Sequence, residues 1–454
     1  MFRRVSLVTL SLVATGCAPK MQLQVAPDVL SSDWSAPATA AGPATPRGHL
    51  GAALGSPELA QLIDRALARN PDVAIATARI DQARALLRVA RAAMLPTVSA
   101  SAGLSAARTD RPSDPFDFSS GFAGLDVSYD VDLFGGGSAE RRAGRERLRA
   151  AGLDREAALI IIESEVARAF VQRAALSDRI ALLDRNIAQA SELERIIRAR
   201  LNAGEANRVD LGLQTIQLRQ LQIEKVRLAE ALDQTRTALA VLSGEEAPLF
   251  ASAPARLDSL AIPAFSPGTP GELLVRRPDV RASEARIQAA GGDVAQARAA
   301  FLPRLRLSAS GLAQAASFGG PIGTVLSLGA DLLAPIFNRG RLHGEFAAAG
   351  ARQRESVELY RRDLLNALAE VENAISATNR SHDREGLILE ALEEARLTAR
   401  LARLSYIEGE ADLRQVLDAE SLLVATQDAR ALALQQRLEA AIDLFRATGG
   451  RAGA

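Results

Sequence analysis

The sequence predicts an α+β membrane protein made of two internal repeats, each supplying one amphipathic β-hairpin and one very long antiparallel helical hairpin. Three observations carry that expectation. The segment Pro71–Ser101 recurs without a gap at Pro278–Ser308, with Pro71/Pro278, Asp72/Asp279, Arg79/Arg286, Arg91/Arg298 and Pro96/Pro303 coinciding; the period is that of a domain, not of a solenoid. Residues 116–247 and 336–454 contain no proline. An interior proline costs a helix about 3 kcal/mol, so such tracts admit helices of exceptional length. Between each repeated segment and its long helix the sequence alternates apolar and polar residues, the mark of strands with one face of each kind.

The N-terminus has the form of an export signal. Met1-Phe2-Arg3-Arg4 precedes the apolar run Val5–Ala14, a charged n-region and a short h-region. The run ends Ala14-Thr15-Gly16-Cys17, and Cys17 is the only cysteine in the chain. Small residues before a lone cysteine resemble a bacterial lipobox, which would lipidate Cys17; an ordinary signal peptide cut near this point is the other reading. An intrachain disulfide is excluded by count. The expected organisation is a signal peptide over 1–16 and a lipidated, extended arm over 17–55. Repeat 1 covers 56–247, with a β-hairpin over 97–133 and a helical hairpin over 138–242. A linker over 248–269 leads to repeat 2 over 270–448, with a β-hairpin over 304–334 and a helical hairpin over 341–448; a tail covers 449–454.

Within repeat 1, Val98, Ala100, Ala102, Leu104 and Ala106 alternate with Thr97, Ser99, Ser101, Gly103 and Ser105, and Leu125–Leu133 alternate with Asp126, Ser128, Asp130 and Asp132. Residues Arg108–Ser120, with Pro112 and Pro115, read as the turn between them. Then comes a helix from Ser138 to Asn202 whose apolar residues Leu159, Ile162, Val166, Ala169, Phe170, Leu183, Ile187, Leu193, Ile196 and Ile197 fall at coiled-coil spacings. Gly204 should stop it and Asn207 cap the return helix over 208–242. Repeat 2 follows the same plan: strands about Arg304–Gly311 and Leu326–Leu332, a helix over 341–408, a stop at Gly409, a cap at Asp412 and a return helix over 413–448. The tips Gly204-Glu205-Ala206-Asn207 and Gly409-Glu410-Ala411-Asp412 therefore correspond.

No apolar run after the N-terminus reaches the roughly 18 residues a spanning helix needs, so a membrane crossing must be made of strands. Four strands leave open edges that lipid cannot satisfy, and at least one further copy must close the barrel; three copies give twelve strands. Asp126, Asp130, Asp132 and Asp331 suit a watery lumen, and the Leu/Val/Ala face suits lipid.

Several segments in order resemble the outer-membrane factor family of bacterial efflux systems, the TolC-like proteins, most closely the lipoprotein branch typified by OprM and NodT. They are Leu133–Gly137, Leu274–Val280, Ala297–Pro303, Ala334–Arg341, Glu370–Asn373 and Val416–Ala419. The resemblance implies a homotrimer whose subunits share a twelve-stranded β-barrel in the outer membrane, continuous with a long α-helical coiled-coil tunnel across the periplasm. It implies passive export of drugs or other small toxic compounds, with a periplasmic adaptor (membrane fusion) protein and an inner-membrane pump of RND type as partners and outer-membrane lipid around the barrel. Lipidation at Cys17 would anchor the arm. The family's acidic constriction falls on Asp418, with Gln415 where a second acid would stand. A closed-state link between a tyrosine and an aspartate falls on Tyr406 and Asp210, and the tips Gly204–Asn207 and Gly409–Asp412 become adaptor-docking points. A duct for type I protein secretion, or a periplasmic coiled-coil scaffold without a pore, are the alternatives.

Other classes find little support. Zero formal net charge argues against nucleic acid as a partner. His49, His343 and His382 have no metal-ligand spacing, so no metal, cofactor or enzymatic activity is expected. Gly135-Gly136-Gly137 lacks the Lys and Ser/Thr of a phosphate loop.

Overall fold

The computed structural model describes residues 33–35, 50–109, 116–251, 255–316 and 320–450. Cys17 and the rest of 1–32 lie outside the described residues. Two compact units form, one from 80–150 and 283–360, the other from 33–79, 151–282 and 361–450.

The first unit holds one antiparallel sheet of strands β1 (Thr97–Thr109), β2 (Phe116–Val131), β3 (Arg304–Ala315) and β4 (Ile322–Leu333), in spatial order β1-β2-β3-β4. The β2–β3 pairing joins the hairpins of the two repeats, with Asp130 opposite Arg306. The expected turn over 108–120 is shorter than its prolines suggested, because β1 runs on to Thr109 and β2 begins at Phe116. β4 is exposed along its whole length, and an unpaired edge of that length is a template for another chain.

Helices α3 (Pro71–Ala92) and α7 (Pro278–Ala299) each have 22 residues and open on the repeated proline, whose missing N–H would be unpaired at a helix start anyway. Helix α4 (Gly136–Asn202, 67 residues) meets α7 so closely at Gly292 that a Cβ there would lie 2.9 Å from Ala139 O and 2.9 Å from Ala143 Cβ. Gly292→Ala should therefore destabilise by about 1–3 kcal/mol through overpacking, although alanine is the better helix former by roughly 1 kcal/mol. A lower dissociation temperature of the oligomer on unboiled gels checks this; an unchanged or raised one would show that α4 and α7 can part at no cost.

The second unit buries an apolar core. Helix α1 (Leu50–Ala53) and helix α2 (Pro57–Arg69), the latter capped by Ser56 Oγ accepting from Leu59 N at 3.1 Å, set Leu50, Leu54, Leu59, Leu62 and Ile63 against Val166, Phe170, Leu438 and Phe445. Two expectations need correction here. The sequence alone predicts a coreless extended arm to residue 55, yet Leu50 and Leu54 are fully buried and Leu50 N donates to buried Glu163 at 2.6 Å. The linker over 248–269 is likewise part of the core, through Phe250, Leu257, Leu260 and Phe265. Farther out on the arm, Trp34 Nε1 donates to Gly268 O at 2.7 Å and Ser35 Oγ to Glu372 at 2.8 Å.

Helix α5 (Arg208–Leu242) and helix α9 (Leu413–Ala447) have 35 residues each, and helix α8 (Arg339–Glu408) has 70. The short helix α6 (Pro270–Arg276) precedes α7. At about 1.5 Å per residue, α4 is roughly 100 Å long. It pairs with α5 through Leu176, Leu183, Ala190, Leu218, Leu221 and Leu228, the seam that the three-and-four spacing foretold. α4 begins two residues before the expected Ser138 because Asp132 accepts from Gly137 N at 3.0 Å and Ser138 N at 2.8 Å, next to Gly135 at φ +75°.

Candidate functional site

Two surfaces carry the residues singled out in the sequence: one face of the sheet and the ends of the helical hairpins. On the sheet, register places Thr97, Ser99 and Ser101 of β1, Ser128 and Asp126 of β2, Ser308 and Ser310 of β3 and Gly329 and Ser327 of β4 on one face. Ser310 and Ser327 hydroxyls meet at 2.5 Å across β3 and β4. Asp130, Arg306 and Asp331 extend this face toward the helices. Arg306 donates to both carboxylate oxygens of Asp130, at 2.7 and 3.0 Å, and stands opposite Asp331 on the other side. Toward the hairpin turns the same face takes Phe122, whose ring covers Gly103, and Leu312. The opposite face carries Val98, Leu104, Leu125, Leu326 and Leu328, exposed by 58% or more.

Asp132 does not belong with Asp126, Asp130 and Asp331. β2 ends at Val131, and both Asp132 oxygens are bonded to the first amides of α4, where a carboxylate also meets the positive helix end. Its place in the alternation made it resemble another strand position. Arg306 was the residue that sequence reasoning passed over. It stood visibly at a polar position, but only the strand register pairs it with two aspartates.

At the hairpin ends the two tips are built alike. Gly204 and Gly409 lie at φ +80° and +81°, and Glu205 N and Glu410 N reach back to Arg200 O and Ser405 O at 2.8 Å each. This is the left-handed helix stop that only glycine adopts freely. Asn207 Oδ1 accepts from Asp210 N at 2.9 Å while Asp210 accepts from Asn207 N at 3.4 Å, a reciprocal capping box. Asp412 accepts from Gln415 N at 2.9 Å. Glu205 and Glu410 are exposed and Ala206 and Ala411 half-buried. Asp418 is exposed one turn into α9, between Val416 and Ala419, which are buried.

The expected Tyr406–Asp210 bond is not formed. Asp210 is held in its capping box, and Tyr406 lies in an apolar cluster with Leu193 and Ile197 of α4 and Leu413 and Val416 of α9. The Arg200 guanidinium covers its ring at 5.2 Å. Tyr406 thus joins the end of one hairpin to the other by its ring, not its hydroxyl. Beside it a cleft of about 270 Å³ is lined by Gln217, Leu221, Arg400, Arg403 and Glu420. Burial pushes the Glu420 carboxyl up, against the opposing pull of Arg403 at 3.0 Å. Among the described residues no group of three potential metal ligands converges.

Comparison with known proteins places this geometry. The signature of the Outer membrane efflux protein family matches residues 62–245 and 269–450, one match per repeat. The pyoverdine export outer membrane protein OpmQ of Pseudomonas aeruginosa is 36% identical over 415 residues, covering 88% of this chain and 86% of its own. The outer membrane protein OprJ of the same species is 30% identical, covering 98% and 94%. The open-state MtrE outer membrane channel of Neisseria gonorrhoeae superposes with a TM-score of 0.85 at 25% identity, over 96% of this chain and 98% of that one. Channels of this kind are trimers with a strand barrel and a helical tunnel, and they work in tripartite efflux systems. With both repeats matched and a four-stranded sheet that only further copies can close, the chain belongs to the outer membrane efflux protein family and forms the exit duct of an efflux system in the bacterial outer membrane.

Proposed function

We propose that three copies of this chain conduct small solutes passively from a periplasmic adaptor and an RND-type inner-membrane pump, through a gate at the hairpin tips and out along the polar sheet face. The observation that carries the reading is that face: rows of serines and the Asp130–Arg306–Asp331 cluster run across all four strands, while the other face is apolar. A barrel in lipid turns its polar side to water. The exposed tips Gly204–Asn207 and Gly409–Asp412 are the docking points for the adaptor, and Cys17 carries the lipid anchor. Asp418, three times in the trimer, forms the negative collar, and Gln415 leaves it a single ring. No step is enzymatic. The first cargo to assay is pyoverdine, because the OpmQ proteins of two Pseudomonas species, at 36% and 32% identity, are named for its export.

Planar bilayers test the duct itself, since purified trimers should give steps of ohmic conductance and a pore-less scaffold none. Fixed charge should then set selectivity. Arg306→Gln removes a cation from between Asp130 and Asp331, adding three uncompensated carboxylates per trimer. At low ionic strength, where screening extends to roughly 30 Å at 0.01 M, the reversal potential should move toward cations. Asp418→Asn should move it the opposite way. Unchanged reversal potentials in both variants would remove these residues from the conduction path.

A further inference from the structure

The polar face of the sheet contains one strip that is not polar. From the helices toward the hairpin turns, the register gives a rung of Ser99, Asp126, Ser310 and Ser327, then one of Ser101, Gly124, Leu312 and Val325, then one that holds Gly103 and Phe122. Beyond it the Ser105 and Ser120 hydroxyls meet at 2.7 Å. Phe122, Leu312 and Val325 thus form an apolar strip across β2, β3 and β4, with hydroxyls on both sides of it. Phe122 is 44% exposed and Val325 49%. A ring laid over Gly103 and a leucine laid over Gly124 each stiffen a strand, which accounts for two of the three. It does not account for Val325, which is paired with Leu312 and not with a glycine.

We propose that this strip is a binding station for solutes in transit that carry an aromatic ring and a positive charge, the ring lying on Phe122, Leu312 and Val325 and the charge facing Asp126. The inference deepens the duct reading and rests on its assignment of the serine-bearing face to the lumen. Copies of the chain close the barrel through the edge strands β1 and β4, whereas Phe122 and Leu312 stand on the inner strands β2 and β3. No neighbouring copy therefore covers them. About eight strands make a barrel that its own side chains can fill, and about sixteen enclose a water channel. Three copies of a four-stranded sheet fall between these limits, so the strip lines a passage and does not plug it. An apolar strip in a watery lumen gains free energy from any solute that removes it from water, and the Phe122 ring also offers its face to a cation. Charge complementarity selects the other end of the solute. Asp126 is exposed in the adjoining rung, about 7 Å along β2 from Gly124. It forms no ion pair among the described residues, whereas Asp130 is engaged by Arg306.

Benzyltrimethylammonium and tetramethylammonium carry the same charge and differ by one ring, which makes them a matched pair of probes. Each would be added, on the side of the hairpin turns, to single gel-verified trimers conducting sodium chloride in a planar bilayer. Benzyltrimethylammonium should reduce the current reversibly at concentrations where tetramethylammonium does not. Phe122→Ser should raise the half-blocking concentration about tenfold or more, as loss of the largest apolar surface in the strip requires. Val325→Ser, which uncovers no paired glycine, should raise it in the same direction, and Asp126→Asn should weaken the block by both cations. Leu125→Ala, on the opposite face of β2, should leave it unchanged. If the two cations block alike, or if Phe122→Ser and Val325→Ser both block like the parent, the strip binds no ring and the station is refuted while the duct stands. If Leu125→Ala relieves the block and the two serine variants do not, the faces are reversed and the lumen assignment itself falls.

Discussion

Tyr406→Ala should open the duct, and Tyr406→Phe should leave it closed. The ring is 9% exposed and touches both hairpins of its own subunit, through Leu193 and Ile197 on one side and Leu413 and Val416 on the other. Truncating a buried aromatic costs about 3–5 kcal/mol, part of it as a cavity, and Arg200 loses a cation–π partner of about 0.5–1 kcal/mol. Because the lost contacts join two hairpins, the cost falls on their mutual packing and not on either hairpin alone. Single-channel conductance should rise, and cells should become sensitive to antibiotics normally too large to enter. Among the described residues the hydroxyl makes no hydrogen bond, so phenylalanine keeps the ring contacts with Leu193, Ile197, Leu413 and Val416. Asp210→Ala gives up one side of a capping box, worth about 1 kcal/mol, and should act mainly on the start of α5. Combined with Tyr406→Phe it should show no coupling. A coupling above about 1 kcal/mol in that cycle would restore a direct bond between the two side chains and overturn the assignment to the ring.

The comparison between sequence and structure separates what local chemistry dictates from what tertiary contact decides. The tips were readable because glycine alone tolerates the backbone at 204 and 409, and because Asn207 and Asp412 sit where caps must. The strands were readable because a sheet with one wet and one dry face has to alternate. Leu50 and Leu54 were not, since they are two leucines among alanine, glycine and proline, and their burial depends on Phe170 and Phe445, far along the chain. Asp132 misled for the opposite reason: it continued a perfect alternation one residue past the true end of β2, where the demand of α4 for a cap outweighs the strand pattern. The Tyr406–Asp210 bond was carried over from a family resemblance. In this chain each partner has a stronger local use, the carboxylate as a cap and the ring as packing. Arg306 and Arg200 act only through neighbours that no linear pattern brings together.

Arg277 offers the other large effect, and its pH dependence has a definite sign. The guanidinium is buried and donates to Asp279 at 2.6 and 3.0 Å, to Glu370 at 2.7 Å and to Ala447 O at 3.0 Å, tying the α6–α7 junction to α8 and to the carbonyl end of α9. Arg277→Met fills similar volume but strands two carboxylates and a helix-terminal carbonyl. Breaking a buried pair costs about 3–5 kcal/mol; here the carboxylates keep some access to water, so about 2–3 kcal/mol is expected. Arg277→Lys should fall between, keeping the charge but not the fork. Burial alone would push the Asp279 carboxyl up, yet the Arg277 bonds and the Val280 amide outweigh it and hold the group below its ordinary value. The wild-type pair therefore contributes fully above the usual aspartate pKa of about 3.9 and fades as pH falls through the lower folded value. In Arg277→Met the upward push of burial is opposed only by the backbone amides of Asp279 and Val280. The deficit in trimer dissociation temperature should thus be largest at neutral pH and narrow below about pH 4. A deficit that is constant with pH would assign Arg277 to packing alone, and no deficit at all would mean that the α9 end is held by other contacts.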